Sequence, residues 1–324
     1  LAPHPTRGWC LRPGLLETGA ARPVRINRHG LRGPEYPRAK PPGEFRILCL
    51  GDSIAFGFLL GWEDTFVVRA EQRLRQHSSG PTIRLINAGF GGYTTWQEFD
   101  FLKNEGIRLE PDLVVLTYCM NDMVELINFE PGKIYGSPIR FDFPNASHWS
   151  GLVRAAKSII GHRRDRAVRD RLMWTNRRPF DLRDPTLQNM DDLYREPPPE
   201  RVRAAWVLAL EHLDQLRAFC RARGLPLVLQ YCPFWQQLGP KAKYRQAQRR
   251  LTEWARLRDV YYLDLMPAFD RELERTGGDV RDLMMDGVHP TAAGSVLISE
   301  AMTDMLESKR LVPTLRDGPS EDSR

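Results

Sequence analysis

No run of about 18 apolar residues occurs anywhere in these 324 residues, so no helix built to cross a membrane is expected in this stretch of chain. Cysteine is scarce. None of Cys10, Cys49, Cys119, Cys220 and Cys232 forms a Cys-x-x-Cys pair, and no histidine stands close enough to complete a zinc site. Their odd number also excludes a complete disulfide framework. Cys49, Cys119 and Cys232 fall in or at the ends of expected strands, where a small apolar side chain packs well. There is no Gly-x-x-x-x-Gly-Lys-Ser/Thr phosphate loop. Gly89-Phe90-Gly91-Gly92 fails as a dinucleotide fingerprint, because Thr94 stands where the third glycine belongs and because the turn follows the second strand. A Gly-x-Ser-x-Gly nucleophile elbow is missing too. No leader is recognisable, and the chain opens on Leu1, as a processed or trimmed chain does, which leaves a preceding leader or anchor open.

What is present is the composition of a globular protein, with 42% hydrophobic residues and enough length for a sizeable core. The formal charge of +6 is modest, and much of it comes from arginines between Arg163 and Arg178. Asp165, Asp170, Asp181 and Asp184 interrupt that run, so it reads as a solvated, salt-bridged face, and no nucleic-acid partner is expected.

Periodicity alternates along the chain. Short apolar runs at 45–50, 83–88, 112–119, 225–231 and 260–265 have the near-continuous hydrophobicity of strands covered on both faces. Between the last strands, residues 201–222 place Trp206, Leu210, Leu213, Leu216 and Phe219 on one helical face, and Gly224 follows as a terminator. The pattern predicts an α/β fold: a doubly wound, mostly parallel five-stranded sheet flanked by helices, a three-layer α/β/α arrangement of flavodoxin-like type. Residues 1–44 are rich in Pro, Gly and Arg and read as an irregular arm with one short strand near Val24-Arg25-Ile26. The expected main domain runs over 45–311 and carries an insertion at about 123–200. Its Phe141, Phe143, Trp149, Trp174 and Tyr194 fit either an ordered cap or a satellite packing unit. Residues 312–324 form a polar tail.

Chemistry enters at the carboxyl ends of the strands. Gly51-Asp52-Ser53-Ile54 follows the first apolar run, so a rigid strand delivers a serine hydroxyl where the chain turns. The second strand runs into Gly89-Phe90-Gly91-Gly92-Tyr93-Thr94, and the third into Met120-Asn121-Asp122. Near the end stands Asp286-Gly287-Val288-His289-Pro290. Pro290 keeps His289 out of helical conformation and suits the start of the next helix. Acyl transfer needs a nucleophile, a base for its proton and a carboxylate to orient that base. It also needs donors for the oxyanion, and backbone N–H groups at a glycine turn and an asparagine amide are suitable ones. Asp52 and Asp122 read as turn braces held by local hydrogen bonds, with no chemical role.

Over roughly residues 43–308, the order and strand placement of these four blocks resemble an SGNH hydrolase of the GDSL-like esterase/lipase superfamily. The resemblance implies Ser53, Asp286 and His289 as the catalytic group, with Ser53, Gly92 and Asn121 as the oxyanion hole. Two positions depart from the family pattern: Cys119 stands where a glycine is usual, and the glycine turn offers Gly91 as a second choice of donor. Gly92 is preferred, because Asn87, Gly92 and Thr94 keep the family spacing. The resemblance implies a serine ester hydrolase, an esterase, lipase or carbohydrate deacetylase that needs neither metal nor cofactor. Its substrates would be small-molecule, carbohydrate or lipid esters. An acyltransferase using the same nucleophile and a noncatalytic carbohydrate-binding relative are the alternatives. The arm followed by Gly-Leu-Arg-Gly resembles bacterial cell-envelope members, which points to an extracytoplasmic location.

Overall fold

Arginines, rather than a hydrophobic period, order the start of the chain. The computed structural model describes residues 2–17, 24–78, 80–120, 122–123, 193, 197–239 and 245–313. The expected irregular arm instead holds two antiparallel ribbons, β1 (Ala2–His4) with β2 (Gly8–Cys10) and β3 (Leu16–Glu17) with β4 (Val24–Arg25). Three buried arginines tie the arm and the sheet together. Arg7 reaches Asp100 and Glu105, and Arg32 donates to three backbone carbonyls at 2.6 Å. Arg46, in the first sheet strand, donates back to the carbonyls of Pro37 and Arg38. A guanidinium carries five donors in a fixed fork, so one side chain can hold several strands of backbone that have no apolar pattern of their own. Composition could not reveal this, because an arginine bound to carbonyls looks like any other arginine in the sequence.

The sheet matches its expected strands to within two residues at every end. β5 (Glu44–Gly51), β6 (Thr82–Gly89), β7 (Leu113–Tyr118), β8 (Leu227–Tyr231) and β9 (Tyr261–Asp264) lie in the order β6-β5-β7-β8-β9, and every pairing is parallel. Ile47, Leu48, Leu50, Val114, Val115, Leu116, Val228 and Leu229 are wholly buried. Each such side chain gains about 1.5–3 kcal/mol from leaving water. The chain steps from β5 to β6 and then back across β5 to β7, so right-handed crossovers place the two connecting helices on opposite faces.

Those helices are α2 (Phe66–His77) and α3 (Thr95–Asn104). On the second face α3 packs against α4 (Glu200–Arg221), and α5 (Gln246–Arg258) is tied to α4 through Arg258 and Asp214. In α4 the buried stripe is Val202, Ala205, Trp206, Ala209, Leu213, Leu216 and Cys220. Leu210 and Phe219, expected on that stripe, are only half-buried, because small alanines let the helix sit lower on its other edge. After α6 (Met266–Thr276) and the short α7 (Val280–Leu283), the final helix α8 (Ala292–Ser308) packs on α2. Thr291 caps α8, its hydroxyl accepting from the Gly294 N–H at 3.1 Å.

Strand order reverses at β5, and the crevice at such a switch point is where open α/β sheets bind ligands. Gly51 and Gly89 stand opposite each other there, at the carboxyl ends of β5 and β6. Gly89 is required by close approach: a Cβ on it would lie 2.1 Å from the Phe56 amide nitrogen. The short helix α1 (Ser53–Phe56) can therefore lie directly on the end of β6. Nearly all of the insertion expected at 123–200 lies outside the described residues, as does the tail from 314 onward.

Candidate active site

Ser53 is the first residue of α1, and Asp52 is its N-cap, with Oδ1 accepting from the Ile54 N–H at 2.8 Å. The strand end and the cap hold the serine backbone from both sides. His289 Nε2 lies 2.8 Å from Ser53 Oγ, across 236 positions of sequence. His289 Nδ1 lies 2.7 Å from Asp286 Oδ2. A carboxylate only accepts, so Nδ1 carries the proton and donates it to Asp286, which leaves Nε2 to accept from the serine hydroxyl. Asp286 Oδ1 also accepts from the backbone N–H groups of Val288 and His289, at 3.1 and 2.9 Å. Burial pushes the Asp286 carboxyl up, but the hydrogen bond and charge of His289 and the two backbone donors outweigh it and hold the group below its ordinary value.

The loop bearing this pair is pinned along its length. Met285 N–H donates to the His289 carbonyl at 2.7 Å, and Trp235 N–H donates to the Gly287 carbonyl at 3.0 Å. Gly287 takes φ +91°, a left-handed turn that brings the Asp286 side chain back onto the imidazole. Phe58 packs its ring on the other side of His289, with centroids 4.8 Å apart. The two side chains of the pair are 16% and 18% exposed, sheltered yet open to a substrate. Phe58 was not singled out from sequence. Its signal is an apolar Gly57-Phe58-Leu59-Leu60 stretch immediately after α1.

Gly92 sits in the turn Phe90–Tyr93, closed by the Tyr93 N–H to the Phe90 carbonyl at 3.0 Å. It takes φ +76° at the third position, which a type II turn reserves for glycine. Among the described residues, neither the Ser53 nor the Gly92 N–H donates to any acceptor. The turn is joined to β5, since Phe90 N–H donates to the Gly51 carbonyl at 3.0 Å. Asn121, the third expected donor, lies outside the described residues.

Asp52 behaves as the turn brace expected. Asp122 is fully buried near two more acids, and burial first, then the charges of Glu98 and Asp52, push its carboxyl well above the ordinary range. Neither of its carboxyl oxygens has a hydrogen-bond partner among the described residues. An acid raised in this manner favours the fold while protonated, so its contribution is present below the unfolded pKa of about 4 and is lost as pH rises through the folded value. Asp122→Asn keeps the neutral form at every pH. Its melting temperature is expected to gain on that of the wild type as pH rises from 4 to 8. A difference that stays flat over this range would count against a neutral Asp122.

Residues 49–173 match the GDSL-like Lipase/Acylhydrolase family, a span that opens in β5 and takes in Ser53, Gly92 and Asn121. No curated protein matches the chain in sequence. In structure it is similar to a catalytic mutant of Axe2, an acetylxylan esterase from Geobacillus stearothermophilus, at 15% identity, TM-score 0.49, and coverage of 81% of this chain and 94% of that one. It is also similar to TesA, at 17% identity, TM-score 0.45, and coverage of 81% and 98%. The family match begins in the strand that carries the Gly-Asp-Ser block and runs past the glycine turn and the Asn-Asp block. Over that span, residues 49–173, the chain is similar to the GDSL-like lipases and acylhydrolases.

Proposed function

We propose that the protein hydrolyses esters through an acyl-enzyme on Ser53, with His289 as the base and Asp286 as its orienting carboxylate. The observation that carries this reading is the unbroken run of contacts from Asp286 Oδ2 to His289 at 2.7 Å and from His289 to Ser53 Oγ at 2.8 Å. His289 Nε2 takes the serine proton as Oγ bonds to the ester carbonyl carbon, and the carbonyl electron pair moves onto oxygen. The unpaired N–H groups of Ser53 and Gly92, with the amide of Asn121, would receive that oxyanion. The intermediate collapses, the C–O bond to the alcohol breaks, and the imidazolium returns its proton to the leaving oxygen. Water then repeats the cycle on the acyl-enzyme, with His289 again as base, and releases the carboxylic acid.

Phe58, 37% exposed and packed against the imidazole, offers an apolar wall to one side of the ester. That wall favours a substrate with an apolar part at this place, and both acyl chain and leaving alcohol fit the description. The reaction is tested with p-nitrophenyl esters of increasing acyl length, together with a fluorophosphonate whose adduct is located by peptide mass spectrometry. One equivalent of label on the peptide containing Ser53, with loss of ester hydrolysis in parallel, is the expected result. Label on another residue, or turnover that survives full labelling of Ser53, would overturn the mechanism.

A further inference from the structure

The two glycines of the turn after β6 leave its central peptide poorly defended against rotation. Gly91 and Gly92 are the middle residues of the Phe90–Tyr93 turn, and a Cβ placed on Gly91 would meet nothing within 4 Å. Turns of types I and II differ mainly by the orientation of that middle peptide, and glycine tolerates both. In a trans peptide the carbonyl and the N–H point in opposite directions. Whatever holds the Gly91 carbonyl therefore also sets where the Gly92 N–H points.

Trp9 holds it. The indole Nε1–H donates to the Gly91 carbonyl at 3.3 Å. The ring is carried by the arm and rests on the last residue of the turn. It packs edge-on against Tyr93, with centroids 5.5 Å apart, and the Tyr93 hydroxyl donates to the Trp9 carbonyl. Arg7, buried beneath, donates through Nε to the Tyr93 hydroxyl at 3.1 Å and through Nη2 to Glu105 at 2.5 Å. Gln97 completes the anchorage from α3, donating to the Arg7 carbonyl at 2.8 Å while its Oε1 accepts from the Thr94 N–H at 3.0 Å. The ribbon β1–β2 is thus tied to the segment just after the turn, and its tryptophan reaches back over the turn itself.

We propose that Trp9 is a positioning residue of the oxyanion site: by accepting no role in the chemistry but donating to the Gly91 carbonyl, it locks the Gly91–Gly92 peptide in the orientation that presents the Gly92 N–H to the substrate oxygen. The proposal rests on the reading that Gly92 is an oxyanion donor. The indole hydrogen bond also polarises that peptide, which strengthens its N–H as a donor. The arm is in this sense part of the site, although none of its described side chains contacts Ser53 or His289.

Trp9→Phe keeps a ring against Tyr93 and removes only the donor. On a p-nitrophenyl ester that the wild type hydrolyses, kcat is expected to fall about tenfold with KM little changed, short of the hundredfold or more that a lost oxyanion donor costs. In protein labelled with 15N-glycine, the Gly92 amide signal is expected to shift or broaden in the variant as the peptide samples both orientations. A kcat within twofold of wild type overturns the proposal. So does an unmoved Gly92 amide, even with kcat reduced, since a merely structural loss would leave that peptide in place. Should Trp9→Phe fail to fold, the wild-type indole N–H decides: slow hydrogen exchange is expected, and free exchange overturns the bond. Absence of ester hydrolysis by the wild type would sink the acyl-enzyme reading instead, while the Gly92 amide would still report on the lock.

Discussion

His289→Ala is expected to lower kcat toward activated esters on the order of 10⁴- to 10⁶-fold, with the fold intact. The size follows from the geometry. Among the described residues, Ser53 Oγ has one nitrogen acceptor, Nε2 at 2.8 Å, and its other hydrogen-bond contact, Asp52 Oδ2 at 3.5 Å, is at the limit of a hydrogen bond. Without the imidazole the hydroxyl must lose its proton to water, and the leaving alcohol must find one there. Some stability should be lost at neutral pH, because Asp286 loses the hydrogen bond and charge of the imidazole, but the His289 backbone N–H and carbonyl, which pin the loop, survive the substitution. Steady-state rates beside a thermal melt separate the two effects. A folded variant that retains a tenth of the wild-type kcat would remove His289 from the mechanism.

Asp286→Asn should be the next most damaging change, at about 10⁴-fold in kcat. The asparagine Oδ1 can still accept from Val288 and His289 N–H, so the turn is kept. What changes is the proton on the ring. An amide NH₂ facing Nδ1 donates to it, the imidazole proton moves to Nε2, and that nitrogen then presents a donor to Ser53 where an acceptor is needed. The carboxyl is held below its ordinary value in the fold, so it stabilises the protein above the unfolded pKa and ceases to do so as pH falls through the folded one. The variant should therefore lose part of the wild-type stability at neutral pH, and the gap should close in acid. Melting curves from pH 7 downward, with kcat at neutral pH, test both parts. Full activity in the variant would show that Asp286 does not set the tautomer.

The parallel sheet was legible because strands covered on both faces must be almost continuously apolar, and five such runs stand between helical stretches. Ser53, Gly92 and the Asp286–His289 pair were legible for another reason: their types and order match a chemistry that requires them. Ser53 and Gly92 lie at carboxyl ends of strands, where the fold gathers residues regardless of their separation in sequence. The asparagine block could not be followed further, since Asn121 lies outside the described residues.

In the arm, the short strand expected near Val24-Arg25-Ile26 is present as β4, but the other short strands and the arginine ties are not legible in the sequence. The arm's order comes from Arg7, Arg32 and Arg46 bound to distant carbonyls and carboxylates, and such bonds leave no period in a sequence. Phe58 against His289 and Trp9 over the glycine turn escaped notice in the same way, because each is defined by what it meets across the fold. Local pattern and residue chemistry thus determined the sheet, the order of its strands in the chain and the candidate groups at their ends. Only the tertiary structure decided which side chains hold those groups in place, because a hydrogen bond between residues 80 positions apart depends on packing, and no stretch of sequence encodes it alone.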